Sequence, residues 1–100
     1  MKITVIGAGA WGTALALHFA AHGNTIAMWA RNPEHMLAMQ QDRENKRYLA
    51  GFTLPDNLTV HTNLADALSE SELVLVVTSV AGLRDSVELV KQHGAGHLPI

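Results

Sequence analysis

Short runs of apolar, β-branched residues alternate along this chain with longer segments in which alanine and leucine recur at helical spacing. The run Lys2 to Ile6 predicts a first strand. The stretch from about Ala10 to His22 predicts a first helix, stopped by Gly23. Thr25 to Ala30 reads as a second strand. Asn32, Pro33 and Glu34 then supply an N-cap, a proline at the first helical position and a first-turn acid, opening a helix that runs to about Arg43. Glu44 to Asn57 contains Gly51 and Pro55 and holds no sustained period, so a long ordered loop is expected, which in a compact domain usually accompanies function. A short third strand, Thr59 to His61, precedes a brief helix from Asn63 to Leu68 with Thr62 as its cap. Leu73 to Val77 is continuously apolar, the pattern of a central parallel strand covered on both faces. A last helix begins after Ser79, with Leu83, Val87 and Val90 along one face, and stops near Gly94.

Strictly alternating strands and helices specify an α/β fold, a doubly wound parallel sheet built from right-handed crossovers. The expected spatial order of the four strands is 3-2-1-4, with a fifth strand beginning near Leu98 at the carboxyl end. Residues 1–100 are accordingly expected to be the N-terminal part of a larger domain. Composition fits a sheet buried on both sides: 48% of residues are apolar and 16% charged. A net charge of −2, with seven Lys and Arg in all, gives no basic face for nucleic acid or a membrane surface. The absence of cysteine excludes disulfides and thiolate metal sites and suits a cytoplasmic location. The apolar start is too short for a signal peptide, and no run approaches the roughly 20 apolar residues of a membrane span.

Chemistry enters directly after the first strand. Gly7-Ala8-Gly9-Ala10-Trp11-Gly12 has the G-x-G-x-x-G spacing between a strand and a helix that marks a dinucleotide-binding turn. Gly7 permits the turn off the strand, Gly9 lets a pyrophosphate approach the backbone, and Gly12 lets the helix pack closely on the sheet. The backbone N–H groups of Ala10 and Trp11, at the positive end of the helix, are candidate phosphate donors. The Trp11 ring fits either a core aromatic or a group beside the phosphates. NAD-selective sites place an acid at the end of the second strand to hold the ribose 2′-hydroxyl. This chain has Arg31 there, whose guanidinium suits a 2′-phosphate and so favours NADP over NAD, although a solvated arginine is the plainer alternative. Asn32 both caps the second helix and can offer its amide to the 2′-phosphate. Ser79 and Val80 lie beyond the fourth strand, opposite the glycine loop at the switch point; there Ser79 can cap a helix, contact the cofactor, or do both. His18 and His22, four residues apart, lack a third ligand, and His93 and His97 flank glycines, so no metal site is expected.

Four stretches together resemble the N-terminal domain of bacterial NAD(P)-dependent glycerol-3-phosphate dehydrogenases: Gly7 to Ala16, Met28 to Pro33, Asn45-Lys-Arg-Tyr-Leu-Ala-Gly51, and Leu75 to Val80. The third discriminates, because an Asn-x-x-Tyr/Phe-Leu-Pro-Gly loop is peculiar to that family. The resemblance covers essentially the whole chain and implies a Rossmann-type domain with NADP preferred and NAD accepted. It implies contacts from the Ala10 and Trp11 amides to pyrophosphate, from Arg31 and Asn32 to the 2′-phosphate, and a cofactor-side wall at Tyr48. The implied reaction is hydride transfer between NAD(P)H and dihydroxyacetone phosphate or glycerol 3-phosphate, feeding glycerophospholipid synthesis. Ala50 stands where the family has proline, and Thr78 where proline precedes Ser79, so both turns depart from the family's pattern. The family's catalytic lysines and helical substrate domain would lie beyond Ile100; no catalytic residue is expected within this chain, and residues 1–100 alone should be inactive. A homodimer of the full-length protein is compatible with this reading. Lys46 and Arg47 read as a solvated basic pair or as a lure for an anionic substrate. Two alternatives stay open: another reductase on the same fold, of the ketopantoate reductase, β-hydroxyacid or hydroxyacyl-CoA dehydrogenase type, and a non-catalytic NADP-sensing module.

Overall fold

A computed structural model of the chain describes residues 1–77 together with Glu88, Lys91 and Gln92. The predicted last helix, the fifth strand near Leu98, and Ser79, Val80, His93 and His97 lie outside the described residues. Strand β1 (Lys2–Ile6) leads into helix α1 (Ala10–Ala21), followed by β2 (Thr25–Trp29) and α2 (Pro33–Asp42). Two short strands come next, β3 (Glu44–Asn45) and β4 (Leu49–Thr53), then β5 (Leu58–Val60), α3 (Leu64–Leu68) and β6 (Leu73–Val76).

The main sheet has four strands in the order β5-β2-β1-β6, and every pairing in it is parallel. These are the four strands expected from the apolar runs. Their numbers differ from the anticipated 3-2-1-4 because β3 and β4 intervene as a separate antiparallel pair. That pair corrects the reading of Glu44 to Asn57 as a loop without secondary structure. A two-residue strand joined to its partner across a register shift between Glu44 and Asn45 is too short to show a period of two.

Alternation along the strands divides the core into two layers. Ile3 and Val5 of β1, Ile26 and Met28 of β2, and Leu58 and Val60 of β5 belong to one buried cluster. Ala8 of the loop after β1, Ala16 and Ala20 of α1, Met36 and Met39 of α2, and Leu54 complete it. Ile6 and Val74 belong to the second cluster, with Leu64 and Leu68 of α3 and the partly buried Trp29. Thr4 also points to the α3 side; it is fully buried, and its hydroxyl donates to the Ala67 carbonyl at 2.7 Å. Small residues on the inner side of α1 (Gly12, Ala16 and Ala20, all buried) let that helix lie close against the strands.

The helix ends follow the capping chemistry. Gly23, at φ 85°, takes the left-handed position after α1, and its N–H reaches the Ala20 carbonyl at 3.1 Å. The Asn32 side chain caps α2 by accepting from the His35 N–H at 3.2 Å. Helix α3 is capped by Asn63, which accepts from Ala65 and Asp66, and not by the expected Thr62. Adjacent Thr and Asn are both competent caps, and the backbone selects Asn63, whose carbonyl accepts the first helical bond from the Ala67 N–H at 3.2 Å. No described helix is long and apolar enough to cross a membrane.

Arg43 ends α2 in the left-handed conformation, at φ 52°, unusual for a residue with a Cβ. What holds it there is the returning chain. Its backbone carbonyl accepts from the Leu54 N–H at 2.7 Å, and its guanidinium donates to the carbonyls of Pro55 and Leu58, both at 2.7 Å. The side chain therefore satisfies carbonyls where the hairpin rejoins the sheet. Arg43→Met, which keeps the apolar stem and removes these bonds, should destabilise the fold by about 2–4 kcal/mol. Urea denaturation is the check: the midpoint should fall with the slope unchanged.

Candidate dinucleotide site

All four parallel strands end at one edge of the sheet, and the first loop of the chain is pinned there from both sides. The Gly7 N–H donates to the Trp29 carbonyl at the end of β2, and the Val77 N–H donates to the Ile6 carbonyl, each at 2.8 Å. Since β2 lies on one flank of β1 and β6 on the other, the loop sits at the point where the winding of the sheet changes direction.

The three glycines are required for different reasons. Gly7 has φ +122°, and a Cβ there would overlap the Val77 carbonyl oxygen, so both conformation and space demand glycine. A Cβ on Gly12 would overlap the Gly7 carbonyl oxygen, with the Val77 Cβ also 3.7 Å away. The third glycine thus fits α1 against the loop that precedes it. Gly9 is unlike either. It has an ordinary extended conformation, and a Cβ there would meet no atom of the described residues within 4 Å. Among the described residues, nothing requires Gly9 to lack a side chain. The space it leaves lies before the N-terminus of α1, where Gly9 is the N-cap and gives no side-chain hydrogen bond to the first-turn amides. A cradle of this form fits an anion that presses against the backbone, as a pyrophosphate does.

The other anticipated residues distribute around this edge. Ala10 and Trp11 form the first turn of α1, where Trp11 is 77% exposed and lies outside the core formed by the described residues. Arg31 and Asn32 follow β2, both exposed, with Asn32 committed to capping α2. Tyr48 stands in the turn between β3 and β4, half-exposed, its ring 5.4 Å from that of His35 and under the Arg47 guanidinium at 5.1 Å. Ser79 lies outside the described residues.

The tightest polar cluster at this edge was not singled out by type or spacing. Asn45 is fully buried, and its Nδ2 donates to the Ala8 carbonyl and to the Thr13 hydroxyl, both at 2.8 Å. Its Oδ1 accepts from the Tyr48 N–H at 3.3 Å and pairs with His35 Nε2 at 2.9 Å. The Ala8 carbonyl can only accept, so the amide nitrogen must face it. Oδ1 then faces His35, whose Nε2 carries the hydrogen. The sequence signals for this cluster are the membership of Asn45 in the 45–51 motif and of Thr13 in the Gly7 to Ala16 stretch; His35 carries none.

A cavity of about 300 Å³ lies beside α2, lined by Asn32, His35, Asp42, Glu44, Lys46 and Arg47 among others. It holds charges of both signs, and no residue of the glycine loop lines it. Among the described residues there is no group of three or more His, Asp or Glu placed to hold a metal.

A parallel α/β sheet with a glycine loop at its switch point defines the class: a Rossmann-type domain of the dinucleotide-binding kind. The family described as NAD-dependent glycerol-3-phosphate dehydrogenase N-terminus matches residues 2–100, and the chain belongs to that family. A glycerol-3-phosphate dehydrogenase [NAD(P)+] from Neisseria meningitidis is 65% identical over 100 residues, covering all of this chain and 30% of that protein. One from Nitrosomonas eutropha is 48% identical over 90 residues, 90% of this chain and 27% of its own length. Among solved structures, the glycerol-3-phosphate dehydrogenase of Coxiella burnetii superposes with a TM-score of 0.88 at 31% identity, over 91% of this chain and 28% of that one. The chain thus spans somewhat under a third of the length of these relatives.

The contrast between the glycines is directly testable. Gly7→Ala should destabilise the domain by more than about 3 kcal/mol, through both positive φ and overlap. Gly9→Val should fold with a loss below about 1.5 kcal/mol, since only the N-cap preference is disturbed. Thermal melts of the two variants beside the parent measure the difference.

Proposed function

We propose that this chain is the N-terminal part of the dinucleotide-binding domain of an NAD(P)-dependent glycerol-3-phosphate dehydrogenase, with a helical substrate domain supplied by further sequence. The observation that carries the reading is the family match across residues 2–100, on a chain whose glycine loop leaves an open cradle at Gly9. The full enzyme interconverts dihydroxyacetone phosphate and glycerol 3-phosphate in the cytoplasm, supplies glycerophospholipid synthesis, and works as a homodimer without nucleic-acid partners.

The bound nicotinamide cofactor would carry the hydride, and the protein would bind and orient it. The N–H groups of Ala10 and Trp11 would take the pyrophosphate, with Gly7, Gly9 and Gly12 shaping the turn. Arg31 and Asn32 would hold the 2′-phosphate, Tyr48 would wall the cofactor side, and Ser79 would contact it from across the switch point. NADP is preferred and NAD accepted, because a guanidinium replaces the ribose-binding carboxylate after β2. No catalytic group is assigned within this chain.

NADPH consumption by the full-length protein tests the reaction. Dihydroxyacetone phosphate should be reduced, while ketopantoate and β-hydroxyacid-type substrates should not. Turnover of one of those controls with dihydroxyacetone phosphate untouched would overturn the assignment. Arg31→Ala tests the cofactor preference: calorimetry should show roughly a tenfold to hundredfold loss for NADPH and little change for NADH. Equal losses would remove Arg31 from the 2′-phosphate.

A further inference from the structure

We infer that Asn45 is a positioning residue for the diphosphate of the bound dinucleotide, acting through the peptide between Ala8 and Gly9. The inference rests on the dinucleotide reading given above.

The side chain of Asn45 is completely buried, and both its donors and both its acceptor positions are used. One donor is spent on the Ala8 carbonyl, in the middle of the glycine loop. A trans peptide points its C=O and its N–H in opposite directions, and the described chain contains no cis peptide bond. Drawing the Ala8 oxygen inward to Asn45 therefore turns the Gly9 N–H outward, toward the open space where a Gly9 Cβ would meet nothing. A flipped peptide would present carbonyl lone pairs to that space and repel an anion. The loop has glycine on both sides of Ala8 and little side-chain bulk to resist such a flip. The second donor, on the Thr13 hydroxyl, fixes the start of α1 relative to the same peptide.

Asn45 is itself held in one orientation. His35 reaches it from α2 through Nε2–H, and the Tyr48 N–H closes the hairpin turn onto the same oxygen. The family-specific 45–51 segment is thus joined by hydrogen bonds to the generic glycine loop. In this arrangement Asn45 touches no cofactor; it determines which backbone group faces the diphosphate.

The test compares NADPH with adenosine 2′-phosphate, which carries the 2′-phosphate but no diphosphate, by calorimetry on the full-length protein. Asn45→Ala should weaken NADPH about tenfold or more and leave adenosine 2′-phosphate within about twofold. His35→Leu, which removes the orienting donor from a partly exposed site, should give the same selective loss at about threefold, and His35→Gln should restore it. The His35 pair decides the matter should Asn45→Ala fail to fold. Equal weakening of both ligands, or NADPH binding unchanged in the folded variants, would overturn the positioning role alone. Failure of the parent protein to bind NADPH would overturn the dinucleotide reading and this inference with it.

Discussion

At the carboxyl edge of the sheet a single buried amide, that of Asn45, bonds at once to the glycine loop, to α1, to α2 and to the turn of the β3–β4 hairpin. A primary amide buried without partners would cost several kcal/mol, so its burial is tolerable only with every bond made. The requirement runs in both directions. The hairpin cannot shift without orphaning the amide, and a flip of the loop peptide would leave the buried Asn45 Nδ2–H without its Ala8 acceptor. Elements far apart in sequence are thereby held in one arrangement at the loop that leads into the N-terminus of α1. Arg43 serves the same hairpin from its other end, tying the start and the return of the segment to the sheet through backbone carbonyls.

The glycine loop itself is determined by contacts of two kinds. Gly7 and Gly12 are demanded by the protein: the strand, the loop and α1 approach so closely that a Cβ at either position would overlap a backbone carbonyl. Among the described residues, nothing demands Gly9. Placed at the N-cap of a helix whose dipole favours negative charge, it is the local feature that suits the loop to an anion such as phosphate.

Much of this was legible in the chain. The continuous apolar run at Leu73, the short apolar runs of the first two strands, the stop at Gly23 and the cap at Asn32 are local signals, and each marks an element found where it was expected. The glycine spacing located the loop. Three features were not legible, for physical reasons. Thr62 and Asn63 are both competent caps, and only the path of the backbone, in which the Asn63 carbonyl takes the first helical bond from the Ala67 N–H, chooses between them. The β3–β4 pair is too short to show a period. The burial of Asn45 is the clearest case: an asparagine between Glu44 and Lys46 looks solvated, and only partners at Ala8, Thr13 and His35 make it an interior residue. Trp11, for which the sequence leaves both a core place and a place beside the phosphates open, is exposed on the first turn of α1.

The central claim is that the glycine loop, held in shape by its buried neighbours, is where an anionic dinucleotide binds. The most direct measurement is an amide NMR titration of the full-length protein with NADPH. The account predicts that the largest shift changes fall on the N–H groups of Gly9, Ala10 and Trp11, with Arg31 following at the end of β2. Unmoved loop amides, with changes gathered instead on Glu34, Ala38 and Asp42 around the cavity beside α2, would contradict it.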